Sequence, residues 1–127
     1  MNVVDSSGWL EYFGNGSNAD FFAPPLADTG ALIVPAISIF EVFKRVLVQR
    51  NEAAALQAAA LMQQGRVIPL DEALALSAAK LSVDLKLPMA DSIMLATARC
   101  FEAVLWTQDA DFENLPGVRY VVKNRAG

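Results

Sequence analysis

The sequence predicts an α/β domain whose short, mainly parallel sheet is covered by helices on both faces. Short apolar runs rich in Val and Ile (Val3-Val4, Leu32-Ile33-Val34, Val67-Ile68, Val104-Leu105) alternate with stretches whose apolar residues recur at helical spacing. Those runs are apolar at consecutive positions, as expected of strands buried on both sides. The chain has 127 residues and is 54% apolar, enough for one core and too little for two. Residues 1–127 therefore read as a single domain with no linker and no internal repeat.

The first strand is expected near Asn2 to Val4, where two β-branched residues are stiff at χ1. It ends at Asp5. Ser6, Ser7 and Gly8 punctuate a turn, and Trp9, Leu10, Tyr12 and Phe13 open a helical pattern. Sites in open α/β sheets form outside the carboxyl ends of strands, which makes Asp5 a site candidate. It is equally suited to cap the following helix. Gly14-Asn15-Gly16-Ser17-Asn18 breaks that helix, and a second opens at Asn18 and is expected to end at Pro24-Pro25.

Ala31-Leu32-Ile33-Val34, closed by Pro35, reads as the second strand. From Ser38 a helix follows with Ile39, Phe43 and Val46-Leu47 on one stripe and Glu41 off it. Glu41 is either a site carboxylate or half of a surface i,i+4 pair with Arg45. Residues 51–64 form an alanine-rich helix bearing Leu56, Leu61 and Met62, closed by Gly65, with no chemistry in it. The third strand is expected over residues 66–70. Asp71 then starts a helix with Leu74, Ala78, Leu81 and Leu85 at core spacing, and Asp71 and Glu72 read as cap and dipole residues.

Pro88 suits the first position of the next helix, which puts Asp91 in its opening turn. That segment is almost wholly apolar, and a buried carboxylate needs a partner. Cys100 falls in the same helix and is expected to be buried. The fourth strand, residues 103–107, runs at once into Gln108-Asp109-Ala110-Asp111. A turn at Leu115-Pro116-Gly117 leads to a last strand over residues 118–122, and a basic tail, residues 123–127, is expected to fray.

Composition excludes several chemistries. With no histidine and one cysteine, Ser-His-Asp and Cys-His catalysis and His-ligated metal sites are impossible, and zinc is disfavoured. A lone cysteine forms no internal disulfide, so the cytoplasm is the expected compartment. No apolar run is long enough to span a membrane, and the N-terminus lacks a secretory pattern. The net charge of −4 has the wrong sign for holding nucleic acid by bulk electrostatics. An acidic chain still acts on phosphates when hard cations occupy its carboxylates.

In a parallel sheet, strand ends and following helix starts share one edge, so Asp5, Glu41, Asp91 and Asp109 are expected to converge. Two unit charges about 4 Å apart repel by roughly 4 kcal/mol at an effective dielectric of 20. Either some of these acids hold protons or divalent cations bind them.

Val3-Val4-Asp5-Ser6-Ser7, Glu41 within Ser38-Ile39-Phe40-Glu41-Val42, Pro88-Met89-Ala90-Asp91-Ser92-Ile93 and Thr107-Gln108-Asp109-Ala110-Asp111-Phe112 fall in the order of a PIN domain. The chain resembles a VapC-type toxin of a toxin–antitoxin pair over essentially its whole length, Leu115-Pro116-Gly117-Val118 included. The resemblance implies a three-layer α/β/α fold and a Mg²⁺- or Mn²⁺-dependent ribonuclease. It implies a homodimer that is inhibited by a cognate antitoxin and meets DNA only through that partner. The family's acids map to Asp5, Glu41, Asp91 and Asp109, with Asp111 close enough to take part as a metal ligand. Ser6 and Thr107 match small hydroxyl positions able to bond a ligand carboxylate or water. Lys44, Arg45 and Arg99 are candidates for a basic rim.

Rival phosphate chemistries fit less well. A receiver domain needs paired acids at the first strand and a phosphoacceptor Asp at a central strand end, where this chain has Val67-Ile68-Pro69-Leu70. A dehalogenase-like phosphatase needs Asp-x-Asp, where Asp5 is followed by Ser6-Ser7. The remaining alternative is a non-catalytic PIN-like subunit of a DNA-bound antitoxin complex.

Overall fold

The computed structural model describes residues 1–123. Five strands form one sheet: β1 (Asn2–Val4), β2 (Leu32–Pro35), β3 (Arg66–Ile68), β4 (Val104–Thr107) and β5 (Val118–Tyr120). Their order is β3-β2-β1-β4-β5, and every neighbouring pair is parallel. Parallel neighbours need crossover connections, and six helices supply them. These are α1 (Ser6–Phe13), α2 (Ala19–Ala27), α3 (Ala36–Gln49), α4 (Glu52–Met62), α5 (Glu72–Leu85) and α6 (Met89–Cys100).

Side chains alternate across the pleat, so each strand feeds both faces. Val4, Leu32 and Val34 point into one core with Trp9, Phe22, Val42, Val46, Ala58 and Met62, which places α1 to α4 on that side. Val3, Ile33 and Leu105 point into the other with Met94, Leu95 and Ala98 of α6 and with Phe112. Helix α5 lies on α6 through Leu74 and Ala78. The result is three layers.

Helices launched from β1 and β2 cover one face, whereas the helix leading into β4 covers the other. The direction of winding therefore reverses between β1 and β4. In an open α/β sheet, that switch point is where a crevice opens outside the carboxyl ends of the strands. Asp5 leaves β1 there, and its N–H still bonds the Trp106 carbonyl of β4 at 3.1 Å.

Several boundaries differ from the expectation. Helix α2 runs through Pro24 and Pro25 to Ala27. Each ring removes a helical N–H, yet Phe22, Pro25 and Leu26 are buried, and that packing carries the helix onward. Helix α3 starts at Ala36, two residues early, and its most buried positions are Ser38, Val42 and Val46. Leu47 and Phe40 stay exposed. Pro88 is the N-cap of α6 rather than its first residue. In α4, Ala55, Ala58 and Met62 are buried while Leu56 and Leu61 face outward. β3 and β5 stop after three residues each. Cys100 is exposed, because the buried run of α6 ends at Ala98 and the last turn projects past the sheet. Residues 124–127 of the basic tail lie outside the described residues.

Candidate functional site

Asp5 caps α1 and also lines a cleft at the carboxyl ends of the strands, so the two sequence readings are not exclusive. It is the N-cap of α1, with Oδ1 accepting from the Gly8 N–H at 3.0 Å and from Ser7 Oγ at 2.7 Å. Oδ2 accepts from Thr107 Oγ1 at 2.6 Å. Thr107 Oγ1 in turn accepts the Asp109 N–H at 2.9 Å, which leaves the hydroxyl proton for Asp5. Gly8 is required by close approach: a Cβ there would lie 2.6 Å from Phe22 and from Val4. Its absence lets the first turn of α1 sit directly on the strand.

Burial works against the charge. Asp5 is 3% exposed, and desolvation pushes its pKa up to about 6 despite hydrogen bonds from Thr107, Ser7 and the Gly8 N–H. Asp109 adds repulsion. Asp91, in the opening turn of α6, is half-buried and pushed up to about 7. Desolvation is again the leading cause, followed by the charges of Asp109, Asp5 and Asp111 and a hydrogen bond with Asp111. Two acids on separate elements whose ionised forms are disfavoured mark a candidate site that positive charge would stabilise.

Asp5, Glu41, Asp91 and Asp109 all line one cleft of about 610 Å³ at the switch point, together with Ser6, Ser7, Lys44 and Arg45. Glu41, one turn into α3, accepts from Ser6 Oγ at 2.6 Å. It makes no ion pair with Arg45 among the described residues, where the single pair is Lys80–Asp84. Asp109 caps a short 3-10 turn (Ala110–Phe112) by accepting the Asp111 N–H at 2.9 Å. That turn swings Asp111 back, so that Asp91, Asp109 and Asp111 bring one oxygen each within 4.8 Å of one another. An all-oxygen donor set of this kind fits a hard divalent cation such as Mg²⁺ or Mn²⁺. Asp111 is exposed and Asp109 half-buried, so Asp111 closes the outer side of the cluster.

The basic rim is partly as expected. Lys44 and Arg45 line the cleft, with the Lys44 ammonium 5.8 Å from the exposed Phe40 ring at its mouth. Arg99 does not belong to it: it occupies the last turn of α6, about 12 Å along the axis from Asp91, where it meets the negative end of the helix dipole.

Sequence reasoning passed over Ser7 and Gln108. Ser7 reads as turn punctuation, yet its hydroxyl bonds the buried carboxylate. Gln108 is 5% exposed and accepts from Asn18 Nδ2 at 3.0 Å, while its own amide reaches the Ser7 carbonyl. It thus ties the segment after β4 to the first turn of α1 and to the N-cap of α2. The available signal was its place between Thr107 and Asp109 at the exit of a strand buried at Leu105 and Thr107.

The family model for the PIN domain matches residues 3–118. The chain belongs to the PIN domain family. Solved structures agree in fold. A toxin–antitoxin complex from Klebsiella pneumoniae superposes with a TM-score of 0.76 at 23% identity, covering 94% of this chain and 96% of that one. VapC20 of Mycobacterium tuberculosis, a sarcin–ricin loop cleaving toxin, gives 0.73 at 18% identity, covering 88% and 92%. VapBC2 from Rickettsia felis, bound to a promoter DNA fragment, gives 0.72 at 12% identity, covering 95% and 97%. No curated protein matches the sequence. No helix among the described residues is long and apolar enough to cross a membrane.

Proposed function

We propose that this PIN domain is a Mg²⁺- or Mn²⁺-dependent endoribonuclease and the toxin of a toxin–antitoxin pair. The observation that carries the reading is the single cleft lined by Asp5, Glu41, Asp91 and Asp109, two of them with pKa values raised towards neutrality. A hard cation bound there neutralises charge on a phosphodiester and lowers the pKa of an attacking water. Asp91, Asp109 and Asp111, whose oxygens already lie together, would hold the cation, and Asp5 and Glu41, which line the same cleft outside that cluster, would be drawn in as further ligands. Glu41, oriented by Ser6, binds or aligns the water. Thr107 holds Asp5 in one rotamer by directing its proton at Oδ2 while the Asp109 N–H holds the hydroxyl. Lys44 and Arg45 meet the phosphates flanking the reacting one.

A subunit serving only as a partner in a DNA-bound complex has no use for a cluster of acids that repel one another without a cation. The neighbours described as toxin–antitoxin complexes, one of them bound to promoter DNA, support a cognate antitoxin; DNA contact through that antitoxin, a homodimer and a cytoplasmic setting are part of the same proposal. The deciding experiment incubates purified protein with RNA in Mg²⁺, Mn²⁺ or EDTA. Cleavage is expected with either metal and not in EDTA, and it is expected to vanish in Asp91→Asn. Equal cleavage in EDTA, or by that variant, refutes the assignment.

A further inference from the structure

Gln108 stands between Thr107, which bonds Asp5, and Asp109, which lines the acidic cleft. Its buried amide reaches two other elements. Oε1 accepts from Asn18 Nδ2 at 3.0 Å, and Nε2 donates to the Ser7 carbonyl at 3.5 Å. Ser7 is the residue whose hydroxyl bonds Asp5 Oδ1. One side chain thus joins the exit of β4, where Asp109 stands, to the turn that holds Asp5. Asn18 Nδ2 uses its second proton on the Val122 carbonyl at 3.0 Å, just past β5. The backbone of Asn18 is fixed as well. Its N–H donates to Glu11 of α1 at 2.9 Å, and Gly16 has no Cβ to collide with that carboxylate.

Asn18 is the N-cap of α2, yet its side chain makes no cap bond among the described residues. Asn51, the N-cap of α4, accepts the Ala54 N–H at 2.8 Å, as a capping residue ordinarily does. The Asn18 amide forgoes the cap for Gln108 and Val122. Gln108 is likewise an odd choice for packing alone, since a buried amide needs partners that an apolar residue does not. We infer that Gln108 and Asn18 are positioning residues: their amide pair sets where Asp109 stands among the carboxylates, and with it the affinity of the cleft for its cation. The inference rests on the metal-dependent nuclease reading above. The turn carrying Asp109 and Asp111 is tied to itself through the Asp111 N–H, and buried Phe112 anchors its far end. Its near end is anchored by Thr107 Oγ1, which takes the Asp109 N–H, and by Gln108. Groups that orient metal ligands from outside commonly change metal affinity or activity by about 10–100-fold when removed.

The test takes the full chain with Mn²⁺ alone as the probe, free Mn²⁺ being counted by electron paramagnetic resonance. Melting in EDTA and RNA cleavage are measured beside it. Gln108→Ala is expected to weaken Mn²⁺ binding about tenfold and to lower kcat about tenfold, with KM for RNA within about twofold of the parent. Gln108→Asn draws the amide back by one methylene and should act in the same direction. Adding Asn18→Gln returns the missing length and should recover most of the Mn²⁺ affinity and of kcat. A purely structural tie would lower the melting temperature in EDTA and leave Mn²⁺ affinity alone, as is expected of Asn51→Ala, which loses only a cap. Should Gln108→Ala fail to fold, Gln108→Asn and the exchanged pair carry the comparison. Parent-like Mn²⁺ affinity and kcat in the Gln108 variants overturn the inference and leave the nuclease reading standing. So does an exchanged pair no better than Gln108→Asn. A parent that binds Mn²⁺ but cuts no RNA, with binding still weakened by Gln108→Ala, supports the positioning role and refutes the nuclease reading. A parent that binds no Mn²⁺ overturns both.

Discussion

Removing the charge of Asp5 should stabilise the metal-free protein at alkaline pH. The carboxyl is held at a pKa of about 6, against 3.8 for an unperturbed aspartate, and that difference amounts to about 3 kcal/mol once the group is fully ionised. The folded pKa is the higher one, so folding favours the protonated form. Its contribution is whole below about pH 4 and is lost as pH rises through about 6. Asp5→Asn removes that loss. Its Oδ1 still accepts from Ser7 Oγ and the Gly8 N–H, and Asn is as good an N-cap as Asp. The cost is the Thr107 bond, because an amide NH₂ cannot accept the hydroxyl proton that Oδ2 accepts; that is about 1 kcal/mol.

The net gain at pH 8 is about 2 kcal/mol, or roughly 6–10 °C in melting temperature for a domain of this size. The measurement is thermal melting of parent and variant in EDTA from pH 4 to pH 8. The variant should melt below the parent near pH 4, where only the lost Thr107 bond counts (about 1 kcal/mol), and the two curves should cross and separate in its favour as pH rises through 6. With free Mn²⁺ near 100 times Kd the parent should gain about 2.7 kcal/mol and overtake the variant, which has lost a ligand. RNA cleavage by the variant should disappear. A variant that melts below the parent at pH 8, by a margin that does not move with pH, would mean that burial does not raise the Asp5 pKa.

Thr107→Val keeps the shape but leaves the Asp109 N–H and one oxygen of Asp5 without their partner. It should cost about 2–3 kcal/mol by melting and push the Asp5 titration further up, since Thr107 is the strongest influence lowering it. Gly8→Ala forces a methyl group against Phe22 and Val4, so a loss of about 1–3 kcal/mol in chemical denaturation is expected. Asp71→Asn exchanges one good cap for another at a residue whose side chain accepts the Leu74 N–H, and it should change neither stability nor RNA cleavage. Asp109→Asn should reduce the metal-induced rise in melting temperature more than Asp111→Asn does, because Asp111 stands on the exposed side of the cluster.

The sheet was legible because its strands are apolar runs bounded by turn residues, and the helices because their apolar spacing changes to 3.6 between those runs. Sequence order alone then placed Asp5, Glu41, Asp91 and Asp109 along one edge, and the cleft they line follows from that topology. Tertiary packing decided what local rules could not. Pro24 and Pro25 should have stopped α2, but burial of Phe22 and Leu26 outweighed two missing donors. Cys100 and Arg99 share an element with Asp91, and only the length of the helix tells that they sit at its far end. The Glu41–Arg45 spacing permits an ion pair, yet Ser6, 35 residues away, holds Glu41 instead. No window of sequence contains that pairing.

The double duty of Asp5 explains why the site and the fold are hard to separate here. A strand of three residues ends at the switch point, and the next helix must begin at once, so some residue has to cap it. Ser, Thr or Asn would cap α1 about as well and would not be charged in a buried position. What Asp adds to a cap is a negative charge and a second acceptor oxygen, and that oxygen is directed at Thr107 on the neighbouring strand, beside Asp109 and the cleft. The cap therefore accounts for Oδ1 and leaves the roughly 3 kcal/mol of ionisation cost unexplained. A cation in the cleft would remove that cost by favouring the ionised form, and tight folding would then depend on occupancy of the site. Where a replacement that keeps the cap is more stable without metal and inactive with it, the charge was retained for chemistry rather than for folding.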